Sequence, residues 1–178
     1  ARATTAAPTY FEPALIKSMA GVSYPLVDGG VFANNPAMCA FSEAFTYFSE
    51  ITSQTITAKN LFILSIGTGT SNLSYNYERA KKWGEIGWIE PVIDIMMSGT
   101  SEVVDYHLQQ IFASANNSKN YIRINPALGG ASPEMDNVSA KNLNALKQAS
   151  LASAKLHDDL LNSIADTLIN NSTINPVV

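Results

Sequence analysis

Asp28 ends an apolar run, Tyr24-Pro25-Leu26-Val27, and is followed by Gly29 and Gly30. A carboxylate beside two residues without side chains stays open to a second backbone or a substrate. In such a place it looks like one half of a catalytic site. The other half is not evident. No serine stands in a G-x-S-x-G elbow, no G-x-G-x-x-G loop occurs, and no histidine is placed as a base partner. Asp-Gly is also a common turn dipeptide. Taken alone, the three residues read first as a turn.

The other candidates are weaker. Gly67-Thr68-Gly69-Thr70 follows an apolar run, but its glycine spacing is wrong for a Walker loop and no Gly-Lys-Ser/Thr follows. A tight turn is the better reading. His107 lies between Tyr106 and Leu108, and His157 precedes Asp158-Asp159; neither has ligand spacing to another metal-binding residue. Both read as surface or helix-packing residues. Glu134 and Asp136 read as loop carboxylates, since a cation site needs more oxygen ligands in closer order. No metal and no cofactor is expected.

The elements that must position Asp28 read as an α/β chain. Asn35-Pro36 suits a helix start, and Met38, Phe41, Phe45 and Phe48 then recur at helical spacing. Leu61 to Ile66 is nearly all apolar and suits a parallel strand covered on both faces. A short helix is expected from Glu78 to Trp83, with breaks at Gly84 and Gly87. Pro91 then opens a segment running to about Met97, and a further helix covers Ser101 to Ala115, with Val104, Leu108 and Ile111 on one face. Tyr121 to Ile124 alternates as a short strand, and Asn125 to Asn137 is a Pro/Gly-rich loop. Ser139 caps one long helix or two stacked ones reaching about Asn170, with Leu143, Leu146, Leu160, Ile164 and Leu168 as buried candidates. The opening residues read as the end of a helix that Pro8 stops, and Asn171 to Val178 read as a frayed tail.

Composition bounds the rest. The 178 residues are 46% hydrophobic and 15% charged, enough for one domain with a real core. The net charge of -4, without a basic stripe, gives nucleic acid no electrostatic footprint. One cysteine, Cys39, excludes an intrachain disulfide framework. No apolar run approaches the roughly 20 residues that span a bilayer. The compartment, cytoplasmic or secreted, stays open.

Five segments, taken in order, say more than any one of them. They are Ala1-Arg2-Ala3-Thr4-Thr5-Ala6-Ala7-Pro8-Thr9-Tyr10-Phe11, then Tyr24 to Ala37 around Asp28, then Leu64-Ser65-Ile66-Gly67-Thr68-Gly69, then Asn120 to Ile124, then Glu134-Met135-Asp136. Together they resemble the patatin-like phospholipase family, nearest to its plant-patatin type. The resemblance implies part of a three-layer α/β domain with a mostly parallel central sheet flanked by helices. Residues 1–170 would form the C-terminal portion of one such domain and residues 171–178 its tail. It also implies a Ser-Asp dyad acting on acyl esters such as phospholipids, with transient contact to a membrane surface and no cofactor. Asp28 would be the general base, and Gly29 and Gly30 would complete its motif. A serine hydroxyl needs a positioned base within about 2.6–3.2 Å, and backbone N–H groups would stabilise the tetrahedral intermediate.

The sequence departs from the family pattern at its start. In the family, the glycine-rich oxyanion loop and the serine elbow precede the Ala-Arg-Ala-Thr segment. Ser65 lies inside the apolar run, and Ser101, in Gly99-Thr100-Ser101-Glu102, lacks the second glycine and reads as a helix cap. The nucleophile is therefore expected upstream of Ala1, on the same polypeptide or on a second chain, and these residues alone are expected to be inactive. A segment removed in this way would leave apolar surface exposed. Arg2 could orient a lipid phosphate but reads first as an anchor of the chain by an internal salt bridge. Ile86 to Met97, rich in Trp, Ile and Met, reads first as core and second as a lipid-facing lid. The reading of a different class is a non-catalytic storage or interaction domain that keeps the fold.

Overall fold

The computed structural model describes residues 1–52, 55–70 and 74–174. The chain falls into two compact units, residues 1–66 with 75–124, and residues 67–74 with 125–178.

The first unit begins with turns. Ala6 N–H donates to the Ala3 carbonyl at 3.2 Å, and the Tyr10 and Phe11 N–H groups donate to the Ala7 carbonyl. The helix end expected before Pro8 is absent, and residues 2–5 form a turn instead. Strands β1 (Ala14–Lys17) and β2 (Ser23–Leu26) follow as an antiparallel hairpin, with Ala14 opposite Leu26 and Lys17 opposite Ser23. Helices α1 (Gly30–Ala33) and α2 (Ala37–Thr52) lead to strand β3 (Ile63–Ile66). After the short helix α3 (Tyr77–Ala80), the 30-residue helix α4 (Glu85–Ser114) carries the chain to strand β4 (Tyr121–Ile124). β4 pairs in parallel with β3, Ile63 opposite Tyr121 and Ile66 opposite Ile124. A helical connection between two parallel strands is the α/β crossover.

Leu108 and Phe112, four residues apart on α4, are fully buried and centre the core of this unit. Ala37, Ala58 and Tyr121 complete it, and Met38, Phe41, Leu61, Ile63, Val104 and Ile111 pack around it. Phe112 meets Phe41 at 6.1 Å and Tyr121 at 5.8 Å between ring centroids. Offset aromatic contacts of this kind add to the burial itself. The expected stripe Val104, Leu108, Ile111 is thus present, with Phe112 at its centre. Phe48, expected on the buried face of α2, is exposed.

Helix α4 corrects three expectations. It runs unbroken through Gly87 and Pro91, and Ser101 lies within it rather than at its start. Local propensity alone would stop a helix at Pro91, which has no N–H to give the Gly87 carbonyl. Packing of the C-terminal half outweighs that lost bond. The stretch expected as core is the opposite: Ile86, Trp88, Ile89, Val92, Ile93, Ile95 and Met96 are all exposed in this chain, and Pro91 is buried. Trp83 packs edge-on against Trp88 at 5.1 Å between ring centroids and covers part of it. Likewise Ile66, at the end of the strand expected to be covered on both faces, is exposed. No helix of the described residues is long and apolar enough to cross a membrane.

In the second unit Gly69 holds φ +116°, and a β-carbon there would lie 3.2 Å from the Pro126 carbonyl oxygen. Only glycine meets both demands cheaply. Its N–H donates to Asn125 Oδ1 at 2.9 Å, and Thr70 bridges to Ala127. Gly67 to Thr70 is therefore a bend that pairs in parallel with the following loop, not the tight turn expected of it. Ser139 Oγ caps helix α5 (Ala140–Leu156) by accepting from the Asn142 N–H at 3.3 Å, and helix α6 (Asp158–Ile174) follows. Two helices form, broken at His157, whose N–H and ring Nδ1 both reach the Ser153 carbonyl. Ile164 is buried, Leu146 and Leu160 are half-buried, and Leu143 and Leu168 are exposed. The tail expected from Asn171 is helical as far as Ile174, and residues 175–178 lie outside those described.

Exposed apolar surface of this extent drives association in water. The isolated chain is expected to sediment as more than a monomer at micromolar concentration and to enhance the fluorescence of a hydrophobic dye. A monodisperse monomer that leaves the dye dark would contradict the exposure seen here.

Candidate active site

Asp28 is set by the two segments on either side of it. Its N–H donates at 3.0 Å to the carbonyl of Ala6, a residue with no exposed surface. The opening turn is anchored in turn by Arg2, whose Nη2 donates to the Glu12 carbonyl at 2.9 Å. Arg2 thus holds backbone through a carbonyl, and among the described residues it forms no salt bridge of the kind expected of it. On the other side the Gly30 N–H donates to Asp28 Oδ1 at 2.6 Å, and the Val31 N–H donates to the Asp28 carbonyl at 3.2 Å. The side chain thereby closes an Asx-type turn that opens α1. A β-carbon at Gly30 would sit 2.9 Å from Asp28 Oδ1, while one at Gly29 would meet only Thr4 Oγ1 at 3.9 Å. Of the two glycines, Gly30 is the one that leaves the carboxylate its place. Neither adopts a left-handed conformation, so space and not φ is what they supply.

Asp28 is half-buried, and among the described residues its Oδ2 accepts no hydrogen bond. The free oxygen is the one available to an incoming hydroxyl. Asp28 lies two residues past β2, a strand of the antiparallel hairpin. The hairpin delivers it, because Leu26, opposite Ala14, brings the chain back to where the opening turn ends.

A second set of residues surrounds the corner between α1 and α2. Asn34 Nδ2 donates to the Met97 carbonyl and Asn35 Nδ2 to the Ser101 carbonyl, both at 3.3 Å and one turn apart on α4. Asn35 is only 2% exposed. Its Oδ1 accepts from the Ala37 N–H and from Ser65 Oγ, each at 3.2 Å. Ser65 Oγ in turn accepts from Arg123 Nη1 at 2.7 Å, and Arg123 Nη2 donates to Ser101 Oγ at 3.3 Å. The spacing reading saw Asn35 only as a helix cap and Arg123 only as a strand residue. One signal was present: each of two apolar strands carries a single polar residue, and Ser65 lies opposite Arg123 in the sheet register. Both serines considered as nucleophiles are thus engaged, and Ser65 is only 7% exposed.

Beside Asn34 a half-open recess of about 170 Å³ is lined chiefly by Phe32, Met38, Cys39 and Val104. Two residues before Arg123, the Tyr121 hydroxyl donates to Asp105 Oδ1 at 2.7 Å. Burial first, and then this bond to a carboxylate, hold the Tyr121 phenol well above its ordinary range. His107 is exposed on α4 and His157 ends α5. Glu134 Oε2 accepts from Ser132 Oγ and Asn137 Nδ2 within its own loop.

The fold and this arrangement define an α/β protein with a carboxylate poised at a strand exit. The chain belongs to the patatin-like family. It is 32% identical over 175 residues to patatin-like protein 2 of Arabidopsis thaliana, an alignment covering 89% of this chain and 41% of that protein. It is 35% identical over 160 residues to patatin-08 of Solanum tuberosum, covering 82% of this chain and 41% of that protein. It is 31% identical over 157 residues to the potato protein named "Probable inactive patatin-3-Kuras 1", covering 82% and 42%. The chain thus spans about two fifths of the length of these relatives. No family model matches it.

Tyr121→Phe removes the phenol and leaves Asp105 Oδ1 short of a donor, so it is expected to destabilise the fold by about 1–3 kcal/mol. The sign of the pH effect follows from the raised phenol. An unfolded tyrosine ionises near pH 10 while the folded one stays neutral. The contribution is therefore complete below about pH 10 and is lost as pH rises beyond it. Denaturant midpoints between pH 8 and 11 should fall more steeply for the native sequence than for Tyr121→Phe. Parallel curves would rule this out.

Proposed function

We propose that the protein carrying this chain is a serine acyl hydrolase of the phospholipase A type, with Asp28 as general base of a Ser-Asp dyad. The observation that carries the reading is the half-free carboxylate: Oδ1 is held by the Gly30 N–H and Oδ2 is left open, inside a sequence related to patatins along most of its length. One oxygen fixes the orientation and the other accepts the serine proton. In this reading the nucleophilic serine and the oxyanion donors come from sequence upstream of Ala1, and the substrate is a phospholipid or another acyl ester met at a membrane surface. No step calls for a cofactor, because oxyanion donors supply the electrophilic stabilisation.

A second reading has one observation in its favour. Similarity over the same stretch extends to a potato relative named as inactive, so this region is compatible with a non-catalytic storage or interaction role. The upstream sequence separates the two readings, since a G-x-S-x-G elbow is required by the first alone.

The test compares the isolated chain with the full-length polypeptide on a p-nitrophenyl fatty ester and on phosphatidylcholine vesicles. The isolated chain should release nothing. The full-length protein should hydrolyse both, and Asp28→Ala should lower kcat by about 100- to 10,000-fold. Hydrolysis by the isolated chain, or full activity in Asp28→Ala, would sink the proposal.

A further inference from the structure

We propose that Arg123 is a positioning residue for Asp28, acting through Ser65 and Asn35; the inference rests on Asp28 serving as the base. Arg123 forms no ion pair among the described residues, and the hydrogen bonds of its guanidinium go to two neutral hydroxyls. A guanidinium can only donate. Ser65 must therefore use a lone pair for Arg123 and send its one proton elsewhere, and Asn35 Oδ1 lies 3.2 Å away to take it. That choice fixes the Asn35 amide. Its oxygen faces Ser65 and the Ala37 N–H, and its nitrogen faces the Ser101 carbonyl. The permanent charge on one strand thus sets the direction of every hydrogen bond as far as the α1–α2 corner.

That corner is rigidly linked to the base. Asn34 ends α1, and α1 begins two residues after Asp28. A β-carbon built at Gly30 would lie 2.9 Å from Asp28 Oδ1 and 3.9 Å from Asn34 Oδ1, so the two side chains flank the same point. With Asp28 tied to Ala6 on one side and α1 tied to α4 on the other, the carboxylate is held from both ends. Loss of the Arg123 donor frees Ser65 to turn its proton, leaves the Asn35 amide undirected and loosens the corner.

The test uses the full-length polypeptide with Ser65→Ala, Arg123→Met and Arg123→Lys. A base shifted by a fraction of an ångström to an ångström should lower kcat by about 10- to 100-fold while KM stays put. Arg123→Lys, which keeps the charge and one donor, should recover part of what Arg123→Met loses. A second measurement needs no activity. The Gly30 amide resonance of the full-length polypeptide reports its bond to Asp28 Oδ1, and it should move in Ser65→Ala although the substitution lies elsewhere. Native kinetics in folded variants would overturn the proposal. So would a fall in kcat explained by a lower folded fraction with the Gly30 resonance unmoved. If the unsubstituted full-length protein hydrolyses nothing, the catalytic reading fails, while a Gly30 resonance that moves still supports the Arg123 link and one that does not overturns it.

Discussion

A charged donor placed in a parallel strand sets the terms for much of the first unit. Arg123 stands where an apolar residue would ordinarily cover a neighbouring helix, and its register partner is the one polar residue of β3. Buried polar atoms are costly unless each finds a partner, by about 1–3 kcal/mol apiece. Here the demand passes from Arg123 to Ser65, to Asn35 and to the Ser101 carbonyl, and none of the buried side-chain polar atoms among the described residues is left unpaired. Strand pairing, the seat of α4 and the start of α2 are thereby satisfied together or not at all.

Around that network the apolar core does the bulk work of packing. Leu108 and Phe112 are sealed between α2 and the parallel pair. The same helix, a few turns earlier, presents Trp88, Ile89 and Met96 to solvent. A single element is thus core at one end and open apolar surface at the other. The relatives are more than twice as long as the portion of them this chain matches.

Much of the local structure could be read from residue types. Helical spacing in α2, the apolar run of β3, the alternation of β4 and the Ser139 cap all express short-range physics, and each stands where its pattern places it. What failed shares one cause. Pro91 and Gly87 argued locally for breaks, but the helix is held by contacts made farther along the chain. Helical periodicity also gives no sign of whether a face is covered, so Ile86 to Met97 was assigned to a core that these residues do not form. For the candidate site, Asp28 and Gly30 were legible because a turn motif is local. The network of Asn35, Ser65, Ser101 and Arg123 joins residues up to 88 positions apart, and only the strand register brings them together.

The hairpin before Asp28 enters and leaves at one point, since Ala14 and Leu26 are direct partners. Whatever happens at its tip, between Ser18 and Val22, therefore cancels before the chain reaches the carboxylate. The tip is in effect an insertion site with no mechanical advantage over Asp28. Length changes there alter what the hairpin touches without altering where Asp28 sits, so descendants of one such chain could acquire different surfaces at that loop and keep the same Asp28 turn.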